Sequence, residues 1–305
     1  MSQPAPPART LCLGEALVDL ICERPIEQLA AADAFVPHFG GAVSNVAVVA
    51  ARYGAGVALA GGAGDDVWGR WLRDRLVREG VDVSLFELIA ATRTALAFVA
   101  IDARGEPSYE IYGEAIATVV HALAGDVERA VRESAALFIS SNTLVGSEER
   151  AITMRAREVA LETGRPLIFD PNLRLHRWPS PSDAAAIAGA CVPGALLVRA
   201  NRDEATLITG EADPERAAQA LVAAGARLAV VTRGAQGVIL RGEVSAELPG
   251  VPARVLSTVG AGDMLTGILL ASLATSGFEP SAVAPALPEA VEQAARACER
   301  WGALE

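Results

Sequence analysis

The stretch "STVGAGDMLTGILLASLA" (residues 257–274) places a glycine-rich turn ahead of a long apolar run, with one carboxylate, Asp263, at the junction. Its core, Gly260-Ala261-Gly262-Asp263, is written a second time as Gly62-Ala63-Gly64-Asp65. Each copy reads as a strand-to-helix turn. Such a turn leaves backbone N–H groups unpaired at the positive end of a helix dipole, where an anion is stabilised. The residues next in the chain separate the two copies. The first runs on into Asp66, so two acids adjoin at the helix start. Asp65 is placed to cap that helix with its own side chain, and the pair of charges repels a phosphate. This copy reads as structural. The second carries the hydroxyls of Ser257 and Thr258 and small residues that let a phosphate approach the backbone. It reads as an anion hole with Asp263 on its rim, the plain alternative being an N-capping aspartate.

Outward from this stretch, apolar runs alternate with helical patterns. "VALA" (57–60), "ALFIS" (136–140), "PLIFD" (166–170), "ALLVR" (195–199) and "LAVVT" (228–232) read as buried strands. Amphipathic stretches such as 65–80 and 147–164 lie between them. Continuous apolar strands separated by helices predict a mostly parallel sheet covered on both faces. One segment breaks the rhythm: "TALAFVAIDARGEPSYEIYG" (94–113) alternates with period two and turns near Asp102–Pro107, as a hairpin does. With the strand near Asp19 it could form a small sheet standing off the main one, as a lid over a ligand; the other reading is an edge of the main sheet. The proline-rich residues 1–9 read as disordered.

The 305 residues allow one large α/β domain, and the formal charge of −11 with no basic stripe argues against a nucleic-acid partner. The absence of a long charge-free apolar segment predicts no transmembrane helix, and the N-terminus lacks a signal pattern, so a cytoplasmic location is expected. Cys12, Cys22, Cys191 and Cys298 are scattered and, with three dispersed histidines, form no zinc pattern. All 26 basic residues are arginine. A chain without lysine can have no Walker A loop, no protein-kinase strand lysine and no Schiff-base nucleophile. Val67 stands where the third glycine of a dinucleotide fingerprint would fall after Gly62 and Gly64.

Several motifs occur in an order that resembles the PfkB (ribokinase-like) carbohydrate kinases, and within them the fructokinase-like branch. They are "GEALVDL" (14–20), "GGAVSNVAVVAARYGA" (40–55), "FDPNLR" (169–174), "NRDE" (201–204), "TRGAQG" (232–237) and "STVGAGDMLTG" (257–267). The resemblance covers nearly the whole chain. It implies a three-layer ribokinase-like α/β fold in a single kinase domain over 1–305, with a lid built from about 15–40 and 94–113. It implies an ATP-dependent sugar kinase that moves the γ-phosphoryl to a hydroxyl, most readily of fructose or a related ketose. A 2-keto-3-deoxygluconate kinase, a nucleoside kinase of the same fold, and a catalytically impaired sugar-binding relative are the alternatives.

The resemblance also assigns residues. Asp263 takes the hydroxyl proton, and the N–H groups of Gly260, Ala261 and Gly262 hold the transferring phosphoryl. Asp19 and Asn45 bond sugar hydroxyls, while Gly40 and Gly41 let the sugar approach. Phe98 and Tyr112 could cover the sugar from the lid or simply pack it, and Arg174 could reach an acidic group or a phosphate or be a surface or ion-paired arginine. Asn201 and Glu204 match the family's Asn-x-x-Glu, which holds magnesium and phosphates largely through water, so no direct metal ligand is expected. Thr232, Gly234 and Gly237 match the loop along the nucleotide. Two departures are visible. Ser257 stands where the family usually has aspartate, and "ERWGALE" ends the chain where relatives continue with a loop bordering the nucleotide. Asn-rich adenine contacts are absent from "EQAARACERWG" as well. Activation by potassium is therefore doubtful, while ATP and Mg2+ remain expected. A homodimer through the lid is a further expectation.

Overall fold

The computed structural model describes residues 9–113 and 115–304. Of the N-terminal segment expected to be disordered, residues 1–8 lie outside the described residues. Among the described residues, thirteen strands are interspersed with helices. In chain order they are β1 (Thr10–Leu13), β2 (Leu17–Pro25), β3 (Val36–Gly40), β4 (Val57–Gly64), β5 (Phe86–Ile89), β6 (Leu96–Ile101) and β7 (Pro107–Tyr112). After these come β8 (Ala136–Ser140), β9 (Leu167–Asp170), β10 (Leu197–Asn201), β11 (Leu228–Thr232), β12 (Val238–Gly242) and β13 (Ala246–Leu248). All five apolar runs singled out in the sequence are strands of one sheet.

That sheet has nine strands in the order β13-β12-β11-β10-β9-β8-β1-β4-β5. Strands β5 to β11 of this order pair in parallel, and β12 and β13 add an antiparallel edge. Successive side chains of β8 serve opposite faces, as strand geometry requires. Ala136 and Phe138 join one core with the helices Ala42–Arg52, Val67–Arg78, Ala261–Thr275 and Val283–Ala297. Leu137 and Ile139 join the other, beneath helices that include Ser147–Glu162 and Pro214–Ala223. The result is a three-layer α/β fold. From β1 the chain adds β4 and β5 on one side and β8 to β11 on the other. Open parallel sheets hold ligands at the carboxyl ends of strands beside such a reversal of order.

The hairpin 94–113 is not an edge of this sheet. Its strands β6 and β7 join β2 and β3 in a second, four-stranded sheet ordered β3-β2-β6-β7. Segments 15–40 and 94–113 thus supply all four of its strands. The turn is closed by Asp102, whose Oδ1 accepts from the N–H groups of Arg104 and Glu106 at 2.8 and 2.9 Å.

Candidate active site

The two copies of the glycine motif have different neighbours. The first ends β4 and leads into the helix Val67–Arg78. Its cap is Asp66 and not Asp65: Asp66 Oδ1 accepts from the N–H groups of Trp68 and Gly69 at 3.0 and 2.9 Å. The chain needs one more extended residue before the helix turns, and this moves the cap one position on. Asp66 Oδ2 also accepts from Thr94 N–H, while the half-exposed Asp65 pairs with Arg70 on the surface.

The second copy does not follow a strand directly. Irregular backbone from 249 separates it from β13. Gly260 caps the helix Ala261–Thr275 with φ of +77°, in the left-handed region open to glycine, and it offers no side-chain bond to the first turn. Ala261 N–H turns back to Thr258 O at 3.3 Å. Asp263 is not the N-cap. Its carboxylate is buried and gripped by two amides: Asn45 Nδ2 donates to Oδ2 at 2.8 Å, and Asn172 Nδ2 donates to Oδ1 at 3.1 Å. The first of these depends on Gly267. A Cβ there would lie 2.5 Å from Val49 Cβ, so glycine lets the helix Ala42–Arg52 cross closely enough to deliver Asn45. Asn172 holds φ of +41°, which turns its amide toward Asp263.

Around Asp263 the carboxyl ends of successive strands contribute side chains, as the sheet order foretells. After β1, Glu15 Oε1 accepts from Ala42 N–H at 2.9 Å and from Asn142 Nδ2, just beyond β8, at 2.7 Å. It fixes the start of the helix that carries Asn45. Asp19 on β2 is buried, and its carboxylate occupies the space where Gly40 would carry a Cβ. Gly41 has φ of +100° and lies against Glu15 O. After β9 comes Arg174, which donates to Asn172 Oδ1 and lies over the Tyr109 ring with 4.6 Å to the centroid. Arg174 is thus neither a solvent arginine nor one partner of a simple ion pair.

Burial pushes Asp263 up to about 7, against the Asn45 hydrogen bond, which favours the ionised form. Burial pushes Asp19 up to about 7 as well; Arg174 opposes this and the Asp263 charge reinforces it. The dipole of the helix Ala261–Thr275 favours an ionised carboxylate in its first turn. Removing the carboxylate from water outweighs the dipole here.

The nucleotide-side candidates lie at the ends of β10 and β11. Asn201 and Glu204 form a capping box: Glu204 N–H donates to Asn201 Oδ1 at 2.9 Å, and Asn201 N–H donates to Glu204 Oε2 at 2.8 Å. Glu204 Oε1 also accepts from Leu173 N–H at 2.7 Å, so it ties the β10 turn to the β9 loop. Burial, followed by the Asp170 charge, raises its pKa. Thr232 ends β11, and Gly234 and Gly237 both have positive φ in the turn to β12.

Phe98 is displaced from its expected role. The register pairs Asp19 with Ala97 and Ile111, and pairs Phe98 with Leu20 and Glu110, so Phe98 faces away from Asp19. Phe98 instead meets Phe35 at 5.0 Å and Tyr112 at 5.5 Å between ring centroids. Tyr109 takes the inward place. The period-two alternation was visible in the sequence, but both faces carry aromatics and the alternation does not say which one is inward. The hairpin tip reaches the glycine turn: Thr258 N–H donates to Gly105 O at 2.8 Å, and Thr258 Oγ1 bonds Glu106 at 3.2 Å.

Known proteins share this fold. The family model for pfkB family carbohydrate kinases matches residues 8–302. Fructokinase-1 of Oryza sativa subsp. japonica is 34% identical over 259 residues, 84% of this chain and 80% of that one. A fructokinase double mutant from Vibrio cholerae O395, in fructose, ADP and potassium ion bound form, is similar with TM-score 0.81 and 27% identity, covering 99% of this chain and 96% of that chain. Aminoimidazole riboside kinase from Salmonella enterica, complexed with aminoimidazole riboside and an ATP analogue, gives TM-score 0.79 at 25% identity, covering 97% and 95%. With the buried carboxylate, its two amides and the glycine turn in place, and a family match that spans nearly the whole chain, the protein belongs to the pfkB family of carbohydrate kinases.

Proposed function

We propose that the protein is an ATP-dependent fructokinase and that Asp263 is its base. One observation carries this reading: a buried carboxylate at the first turn of a buried helix, held by amides from two other elements. The sugar hydroxyl gives its proton to Asp263 as its oxygen bonds the γ-phosphorus, and the bond from that phosphorus to the bridging oxygen of ADP breaks. Such a transfer depends mainly on positioning and on charge stabilisation. A base titrating near neutrality matches proton transfer at ordinary pH. The backbone N–H groups of Gly260, Ala261 and Gly262 hold the transferring phosphoryl, with the Ala261 N–H drawn from its long bond to Thr258. Asp19 and Asn45 fix the sugar, which approaches over Gly40 and Gly41.

Asn201, Glu204, Thr232, Gly234 and Gly237 border the nucleotide. Each Glu204 oxygen accepts one backbone N–H and keeps a lone pair for a water of hydrated magnesium. Magnesium would neutralise charge on the β- and γ-phosphates. The small sheet acts as a lid: Tyr109 and Arg174 lie on its inner side and the hairpin tip meets the glycine turn. Its outer face, with Phe35, Phe98 and a 57% exposed Tyr112, is the surface through which a second copy pairs. Sedimentation of Phe98→Asp should show a monomer where the wild type is a dimer; a wild-type monomer contradicts the pairing.

The riboside kinase likeness favours a second reading, a riboside as acceptor. A coupled ADP-release assay over fructose, other ketoses, 2-keto-3-deoxygluconate and aminoimidazole riboside distinguishes them. Fructose should give the highest kcat/KM. A higher value for the riboside would reassign the substrate, and no turnover with any acceptor would remove the kinase reading.

A further inference from the structure

A chain with no lysine must place its fixed positive charge at the phosphates by another side chain. Arg199, near the end of β10, is 7% exposed and lies directly behind the glycine turn. Its Nη1, Nη2 and Cζ would be 2.7, 2.9 and 3.0 Å from a Cβ on Gly262. The absence of a side chain at Gly262 is what admits the guanidinium. Nη2 donates to Thr232 Oγ1 at 2.9 Å, and Nη1 faces Asp170 Oδ2 at 3.4 Å. Asp170 Oδ2 also accepts from Thr266 Oγ1, on the same helix as Asp263, at 2.6 Å. Arg199 therefore touches the anion-hole glycine, the end of β11 and a carboxylate tied to the catalytic helix.

Its pairing with Asp170 is incomplete. The Nη1 contact is long, and Arg199 Nε and Asp170 Oδ1 have no hydrogen-bond partner in the protein. A buried guanidinium serving only to balance a carboxylate would be expected to form the two-pronged pair that its fork favours. This one holds Nη1, Nη2 and Cζ all within 3.0 Å of the Cβ position at Gly262. A fixed charge in a water-poor site stabilises developing phosphate charge far more than it could in water.

We infer that Arg199 is a positioning residue for phosphoryl transfer: its guanidinium, set behind Gly262 and bonded to Thr232, supplies the fixed positive charge that the anion hole presents to the γ-phosphoryl. This rests on the kinase reading above. The role lies outside the residues that the sequence motifs single out.

The test uses Arg199→Gln, Arg199→Lys, and the double variant Asp170→Asn/Arg199→Gln, which removes both charges and so avoids a lone buried carboxylate. Turnover with fructose, melting temperature, and calorimetric affinity for the β,γ-imido analogue of ATP and for adenosine are measured. Arg199→Gln should lower kcat at least about 10²-fold, the size associated with one oxyanion-hole donor. Its fructose KM should stay within about threefold, because a charge aimed at the phosphoryl does not hold the sugar. Its affinity for the imido analogue should fall at least about tenfold with adenosine affinity unchanged, since only the analogue carries the γ-phosphate. Arg199→Lys should recover most of both losses. The double variant should melt like wild type yet turn over as slowly as Arg199→Gln. Wild-type turnover in the double variant would overturn the proposal and leave Arg199 as the counter-charge of Asp170. Equal loss of adenosine and analogue affinity would overturn it too. If the wild type phosphorylated no acceptor, the kinase reading would fall, and the affinity comparison would still decide the role of Arg199.

Discussion

Two turns of this molecule share the letters Gly-Ala-Gly-Asp and do different work. At 62–65 the turn connects β4 to a surface helix; its aspartate faces solvent and the next residue caps. At 260–263 the turn opens a buried helix; Gly260 caps it with no side-chain bond, and its aspartate is enclosed by Asn45 and Asn172. The tetrapeptide does not even fix its own backbone, since residues 62–64 end strand β4 and residues 261–263 form the first turn of a helix. Chemistry comes from what other elements bring to it: close helix crossing at Gly267, the left-handed Asn172, and burial that moves a carboxylate to about 7.

The two turns should part most widely when one methyl group is added at the same place in each. In Gly262→Ala the new Cβ meets the Arg199 guanidinium at 2.7 Å, the far end of a flexible side chain. The fold should adjust, and kcat should fall at least about 10²-fold as the charge behind the anion hole is displaced. In Gly64→Ala the Cβ overlaps the backbone carbonyl of Thr92, which cannot move aside. Stability should fall by about 1–3 kcal/mol, and the protein that remains folded should keep its kcat. Kinetics and thermal melting of both variants check this; the reverse pattern would erase the distinction between the turns.

A pH series probes the same contrast. Asp19 and Asp263 both titrate near 7, each raised mainly by burial, and the Asp263 charge adds to the shift of Asp19. The charges of Arg174, Arg199 and Asp170 also act on Asp263. A base works only when ionised, so kcat/KM should fall about tenfold per pH unit below the titration of Asp263 near 7. Stability should move the other way. The folded carboxyls bind protons more readily than the unfolded chain, whose aspartates titrate near 3.9. Their stabilising contribution is complete below about pH 4 and is lost as pH rises through about 7. An acidic limb centred near pH 4 would show that the working carboxylate is a solvated one and not the buried Asp263.

The smallest effect expected is that of potassium. Ser257 is buried and its hydroxyl accepts from Val259 N–H at 3.1 Å, so it offers a cation one neutral oxygen already in use. Potassium chloride added against tetramethylammonium chloride at fixed ionic strength should raise turnover less than tenfold, under about 1.4 kcal/mol of barrier. The potassium in the related Vibrio structure makes this a pointed test, because larger activation would mean that backbone carbonyls alone hold the ion.

The sheet was legible because parallel strands buried on both faces read as unbroken apolar runs, and "ALFIS" and "LAVVT" coincide with β8 and β11. The hairpin was legible because its period of two has no helix inside it. What was not legible depends on tertiary geometry. The cap fell on Asp66 because the turn takes one more extended residue, which the composition does not show. Phe98 and Tyr109 differ by face, and an alternating pattern is symmetric between faces. Asn172 looked like one more letter of a motif until its positive φ aimed it at Asp263. Arg199 is the last letter of "ALLVR", a run read only as a buried strand; only the sheet order, with β10 beside β11, sets it behind Gly262.

The most direct measurement tracks the γ-phosphoryl from labelled ATP to fructose in Asp263→Asn and Asp65→Asn, with melting temperatures taken on the same samples. Asp263→Asn should fall at least about 10²-fold below wild type while melting no lower, as the loss of a general base requires, and Asp65→Asn should stay within about threefold. Transfer that survives Asp263→Asn but is abolished by Asp65→Asn would contradict the assignment and place the chemistry at the first turn.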